Sequence, residues 1–127
     1  MLSTIFCVSG DRLWSDRQTV KAALQVVKQN RPNQPITMIH GGCRGLDTIA
    51  GEVATQLGFN VIIKPVTPDD WKKYGKGAGP VRNGHMLDLG PEFVLLFHTN
   101  IENSKGTKNM MNQCQKRGVP TTLITGK

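Results

Sequence analysis

Short continuous apolar runs alternate along this chain with longer stretches in which apolar residues recur every three or four positions. "STIFCV" (3–8) reads as a strand buried on both faces. The segment 15–30 then has helical spacing, with Ser15 or Asp16 as N-cap and Val20, Ala23, Leu24 and Val27 on one face. "ITMIH" (36–40) predicts a second strand, and 46–58 a second helix with Ile49, Val53 and Leu57 in register and Gly58 as its stop. "NVIIKP" (60–65) is a third strand, followed by an expected irregular loop over 66–79. A third helix starts at Pro80, where a first turn tolerates proline. "EFVLLF" (92–97), a helix over 106–118 closing on Gly118 and "PTTLIT" (120–125) complete the series.

Strands alternating with helices predict an α/β fold, a Rossmann-like parallel sheet of about five strands with helices on both faces. The expected strand order is 3-2-1-4-5, with a flavodoxin-like order as the alternative. Ligands of such sheets bind beyond the carboxyl ends of the strands, where the order reverses. For 3-2-1-4-5 that point lies between strands 1 and 4, at "SGDR" (9–12) and "HTNIENSKGT" (98–107), with "GGCRGLD" (41–47) alongside.

Composition narrows the class. At 127 residues the expectation is one domain, a single Rossmann-like nucleotide-binding unit over 1–127. No apolar run is long enough to span a bilayer, so no membrane partner is expected. "MLSTIFCVSGDR" lacks the features of a secretory signal. Cys7, Cys43 and Cys114 are scattered without a CxxC, which argues against disulfides or zinc and for a cytoplasmic protein, with Cys7 and Cys114 at core positions. His40, His85 and His98 show no ligand spacing, so neither a metal nor a cofactor is expected. The net charge of +7 suits an anionic partner as well as it suits a lysine-rich solvated surface.

Three glycine-containing segments sit where a ligand is expected. "GGCRG" (41–45) joins a strand to a helix; its glycines permit a tight turn and the helix start offers N–H groups to a phosphate or ribose, although a purely structural turn would look the same. It is neither a Walker loop nor a clean GxGxxG. Asp47 contacts ligand hydroxyls or caps its helix. "SKGTKN" (104–109) places Gly106 and Thr107 at another helix start between lysines, a second anion site or an ordinary cap. In "GKGAGPVRN" (75–83), Arg82 and Asn83 fall in a first helical turn, where a cation opposes the helix dipole; a bidentate phosphate or carboxylate contact would account for the arginine. Trp71 and Tyr74 either stack on a base or pin their basic loop to the body of the protein. Cys43 has no partner base in the sequence that would make it a nucleophile.

Together, "SGDR" (9–12), "HGGCRGLDTIA" (40–50), "DWKKYGKGAGPVRNGHML" (70–87) and "SKGTKNM" (104–110) resemble the SLOG superfamily of Smf/DprA and LONELY GUY proteins, in particular its small YspA/YpsA-related branch. The match runs in order through nearly the whole chain. The resemblance implies a Rossmann-like fold for nucleotides or nucleotide-derived ligands, with Gly10, Arg12, Gly41, Gly42, Gly45, Asp47, Arg82, Asn83, Gly106 and Thr107 lining the pocket. Asp11, Arg44, Trp71 and Asn109 complete the ligand-binding candidates. LONELY GUY phosphoribohydrolases carry PGGxGTxxE, whose glutamate takes part in N-glycosidic cleavage. Here Met110 stands at that position, and Asn103 and Ser104 replace the paired glycines. Arg82 and Met86 do match the preceding RxxxM-like element.

The leading functional expectation is a protein that binds a nucleotide or nucleotide derivative, its phosphates on glycine-rich helix starts and on Arg12 and Arg82, its base near 66–79. The first alternative is a nucleoside 5′-monophosphate phosphoribohydrolase with Arg82 and Asp47, or else Asp11, as catalytic groups; Met110 counts against it. The second alternative is single-stranded nucleic-acid binding, suggested by the charge and the DprA side of the resemblance. The resemblance further implies a homodimer and a bacterial or phage setting, in the cytoplasm of the bacterium or of the phage's host.

Overall fold

The computed structural model describes residues 2–126. Five parallel strands, β1 (Thr4–Gly10), β2 (Ile36–His40), β3 (Asn60–Ile63), β4 (Val94–Phe97) and β5 (Thr121–Ile124), form one sheet in the order β3-β2-β1-β4-β5. This is the Rossmann-like arrangement expected from the alternation of patterns, and it excludes the flavodoxin-like order. Five α-helices join the strands: α1 (Arg17–Asn30), α2 (Leu46–Gln56), α3 (Pro68–Tyr74), α4 (Ala78–Asp88) and α5 (Gly106–Arg117).

The continuous apolar runs arise because both faces of the sheet are covered. Phe6 and Val8 of β1 and Leu95 and Phe97 of β4 join Val20, Leu24 and Val27 of α1 and Ala50, Val53 and Ala54 of α2 in one core. Successive side chains of a strand point to opposite faces. The intervening Cys7, Val94 and Leu96 therefore pack on the other side with Met86 and Leu87 of α4 and Met110 and Cys114 of α5. Cys7 and Cys114 are both buried, and burial pushes both thiols up, Cys7 strongly, so they behave as small apolar groups.

The helix ends follow local chemistry. Asp16, rather than Ser15, caps α1: its Oδ1 accepts from the Thr19 N–H at 3.1 Å. Its backbone carbonyl accepts from the indole of Trp14, whose ring meets Phe97 edge-on with centroids 5.6 Å apart. Gly118 ends α5 in the left-handed region at φ 73°.

The expected irregular loop over 66–79 is a correction. It holds α3, a 3₁₀ turn at Gly75–Gly77 and the start of α4, which begins at Ala78 rather than at the expected Pro80. Thr67 accepts from the Asp70 N–H at 3.1 Å, Asp70 accepts from the Thr67 N–H at 2.9 Å, and Pro68 fills the first turn. Such a reciprocal capping box satisfies two backbone donors that a short helix would otherwise leave open. "TPDD" carries that signal in the sequence, but the absence of an apolar stripe hides the helix, and no residue of α3 is buried.

Leu24 is fully buried and Val26, two positions on, is 52% exposed. Leu24→Ala should therefore cost about 2–5 kcal/mol, while Val26→Ala should stay within about 0.5 kcal/mol. Urea unfolding of the two variants checks this, and similar losses in both would refute the assigned face of α1.

Candidate functional site

β1 and β4 are adjacent and parallel, with Gly10 opposite Phe97 in register. The chain leaves β1 toward helices on one face and β4 toward α5 on the other, so the two C-terminal ends diverge over a cleft of about 400 Å³. Of the residues singled out in the sequence, Gly10, Asp11, Arg12, Asp47, Arg82, Asn83, Gly106 and Thr107 line this cleft. Gly41, Gly42, Arg44, Gly45, Trp71 and Asn109 do not.

The "GGCRG" turn is built around its own anion. The Asp47 carboxylate, in the first turn of α2 and only 6% exposed, reaches back over the turn. Its Oδ2 accepts from the N–H groups of Gly41 and Cys43, each at 3.1 Å. The Gly42 N–H donates to His40 Nδ1 at 3.0 Å, and the Leu46 N–H to the Asp11 carbonyl at 3.1 Å. Four N–H groups of this segment are thus committed inside the protein rather than directed at a ligand. Asp47 thus caps the turn that precedes its helix while also lining the cleft.

Arg82 of α4 completes the arrangement. Its guanidinium donates to the Gly41 carbonyl at 2.8 Å, and it stands 3.8 Å from the Cys43 sulfur. A Cβ on Gly41 would lie 2.5 Å from Arg82 Nη1, so this arginine approaches the turn as closely as only glycine allows. Gly45 has φ 74°, and a Cβ there would overlap the Arg12 carbonyl. The glycines of the turn therefore serve close packing of β1, α2 and α4. Because α4 begins at Ala78, Arg82 is its fifth residue and lies past the first turn, so the dipole conflict expected from the sequence does not arise; its guanidinium instead meets the Gly41 and Lys64 carbonyls beside the cleft it lines.

Electrostatics follow from burial. Desolvation raises Asp47 above the usual carboxylate range, against the opposing pull of the Cys43 N–H, His40, Arg82 and the Gly41 N–H. Desolvation lowers His40, with Asp47 acting the other way. The bond from Gly42 to Nδ1 places the proton of the neutral ring on Nε2, which packs against α2 at Gly51.

The wall formed by α4 and α5 is joined by amide side chains. Asn83, 3% exposed, donates to the Gly106 carbonyl at 3.3 Å and to Asn109 Oδ1 at 3.2 Å. Asn109 also accepts from Gln113, so it braces α5 from behind the cleft. Ser104 Oγ accepts from the Thr107 N–H at 3.0 Å and caps the helix start.

Trp71 and Tyr74 lie on exposed α3, outside the cleft lining. Ser9, Cys43, Met86, His98, Ser104 and Lys105 also line the cleft; all but Met86 fall in the loops expected at the switch point, though none was singled out there as a ligand-binding residue. His98 was the most accessible of these to inference, as the residue directly after β4 at the point where the strand order reverses. Met110 is fully buried beneath α5 and does not reach the cleft.

A model of the YspA, cpYpsA-related SLOG family (YAcAr) matches residues 4–74. The chain belongs to this family. It is 38% identical over 120 residues to the Gene 61 protein of Mycobacterium phage D29, spanning 89% of this chain and 90% of that one. DNA processing protein A (DprA) from Streptococcus pneumoniae, a SLOG member, has the same fold: a TM-score of 0.75 at 19% identity, over 98% of this chain and 51% of DprA. This chain thus spans about half the length of that relative. The segment matched by the SLOG model holds Gly10, Asp11, Arg12 and Asp47, while Arg82, Asn83, Gly106 and Thr107 lie beyond it. No helix among the described residues is long and apolar enough to cross a membrane.

Asp47→Ala should destabilise the protein by about 2–4 kcal/mol, because two buried N–H groups lose their acceptor, whereas Asp47→Asn, whose amide oxygen can accept both, should retain most of the stability. Chemical unfolding of the pair measures this; equal losses would mean that the carboxylate does not organise the turn. His40 gives a pH test. Its folded-state pKa is lowered, so the unfolded chain takes up the proton first, and the stability it contributes is full above about pH 6.5 and lost as pH falls below that. The stability of the wild type relative to His40→Gln should therefore rise between about pH 5 and about pH 7.5. A flat or falling difference in urea midpoints would contradict the burial of a neutral ring.

Proposed function

We propose that this protein binds a nucleotide or nucleotide-derived ligand in the cleft between the ends of β1 and β4, with the phosphate at the start of α5. The observation that carries this is the α5 start itself. A 12-residue helix opens beside Lys105, Gly106 and Thr107 into a cleft that Arg12 and Arg82 also line. Helix N-termini favour anions through their dipole and exposed N–H groups; at α5 Ser104 already takes the Thr107 N–H, so the dipole, the other N–H groups of the first turn and the flanking cations carry that preference. The turn at 41–45 is a weaker phosphate site, since the Asp47 carboxylate already occupies its donors. Gly41, Gly42 and Gly45 then shape the cleft through packing, and Asp47 and Arg82 act first as its scaffold. The whole of 1–127 would serve as one binding unit, in the cytoplasm of a bacterium or a phage-infected host.

Binding without N-glycosidic cleavage is the favoured form of this reading. Met110 is enclosed in the core, and Asp47 Oδ2 is engaged by two N–H groups, so neither offers a carboxylate ready to stabilise a reacting sugar. Single-stranded nucleic acid is the second reading, favoured by one observation: Trp71 is 52% exposed on a helix that also carries Lys72 and Lys73.

Calorimetric titration of adenosine and guanosine 5′-monophosphates against their nucleosides separates these readings. The monophosphates should bind saturably and at least about tenfold more tightly than the nucleosides. Lys105→Glu should weaken the monophosphates by a similar factor, while Lys72→Glu, outside the cleft, should not. No free base should appear above a buffer control. Equal affinity for nucleoside and monophosphate would overturn the phosphate assignment. Tight, steeply salt-dependent oligonucleotide binding that Trp71→Ala abolishes would put the second reading in its place.

A further inference from the structure

Asp11 and His98 are the first residues beyond β1 and β4. The two strands are paired up to Gly10 and Phe97, and the Asp11 N–H continues the ladder by donating to the Phe97 carbonyl at 2.9 Å. The sheet therefore delivers a carboxylate and an imidazole side by side at the floor of the cleft, and both line it.

Each side chain is fixed by one local bond. Asp11 Oδ1 accepts from the Leu13 N–H at 2.9 Å, which sets the carboxylate rotamer and leaves Oδ2 directed toward His98. His98 Nδ1 accepts from the Asn100 N–H at 3.0 Å. In the neutral ring the proton is therefore on Nε2, and Nε2 lies 3.9 Å from Asp11 Oδ2. That separation is too long for a hydrogen bond between them. An acceptor and a donor thus stand next to one another without consuming each other's capacity.

This pairing is poorly suited to proton transfer. The nitrogen that would take a proton as a base already accepts from backbone. It is also poorly suited to a phosphate, which the Asp11 carboxylate repels. It suits neighbouring hydroxyl groups, each of which can donate to a carboxylate and accept from an N–H. The other neighbourhood of the same cleft, joined by the bonds of Asn83 to Gly106 and of Ser104 to Thr107, carries the helix start and its cations.

We infer that Asp11 and His98 form a subsite for the vicinal hydroxyls of a ribose, which makes the cleft selective for ribonucleotides over 2′-deoxyribonucleotides. The inference rests on the nucleotide reading above and adds the sugar to it. A site built to bond a hydroxyl discriminates strongly against the analogue lacking it, because its own polar groups are then left without partners.

The test is titration of adenosine and guanosine 5′-monophosphates against their 2′-deoxy counterparts, on the wild type and on Asp11→Asn and His98→Asn. Both substitutions keep an oxygen acceptor for the local backbone N–H, and thermal unfolding reports whether each variant folds. The wild type should bind the deoxy forms at least about tenfold more weakly. Each variant should bring that ratio toward one while retaining the preference for monophosphate over nucleoside. Ribo and deoxy forms binding equally to the wild type, with the phosphate preference intact, would overturn the subsite and leave the nucleotide reading standing. A ratio unchanged in both folded variants would likewise overturn it, since the selectivity would come from elsewhere. Absence of binding by any nucleotide would remove the nucleotide reading and this inference with it.

Discussion

The site depends on one buried carboxylate. Asp47 leaves the first turn of α2 and binds the N–H groups of Gly41 and Cys43, closing the turn that leads into its own helix. An unpaired buried carboxylate is expensive, and its raised pKa records part of that cost. Four groups offset it: the N–H donors of Gly41 and Cys43, the nearby Arg82 guanidinium and His40. Arg82 then donates to the Gly41 carbonyl, so α4 is held to β2 through the same turn. The Asp11 carbonyl takes the Leu46 N–H, which joins the end of β1 to the start of α2. Loss of the carboxylate would loosen three sides of the cleft together.

Much of the fold was legible because its physics is periodic. Parallel strands covered on both faces must be apolar at successive positions, and "STIFCV" and "EFVLLF" announce this directly. The helical faces of α1 and α2 follow from spacing alone, and alternation of the two patterns leaves few topologies. The site was legible in outline for the same reason: the switch point of the sheet places Asp11, Arg12, Gly106 and Thr107 together before any side chain is considered.

What stayed hidden depends on direction rather than on residue type. A glycine-rich turn before a helix reads as an open anion cradle, and nothing in "GGCRGLD" says that Asp47 folds back to fill it; that follows from the φ of 74° at Gly45 and the rotamer of the aspartate. Trp71 reads either as a stacking group or as a pin for its basic loop, and its place follows from α3, a short helix capped by Thr67 and Asp70 that lies outside the cleft lining. His98 looked like an isolated histidine because its partner, Asp11, is distant in sequence and adjacent only through strand pairing.

The seating of α5 also bears on why this chain departs at Met110 from the glycoside-cleaving pattern, which it matches at Arg82, Met86, Gly106 and Thr107 but not at Asn103 and Ser104. Met110 and Cys114 are one turn apart and both fully buried, among Cys7, Ile39, Met86 and Leu96. They form the apolar seam that fixes the helix against the sheet. A glutamate at position 110 in this seating would place its carboxylate in that seam without a cationic partner, at a desolvation cost of several kcal/mol. The missing acid is therefore more than a single replaced residue. The same helix seating that buries Met110 leaves Gly106 and Thr107 lining the cleft, so the apolar seam of α5 and the position of its N-terminus are set together.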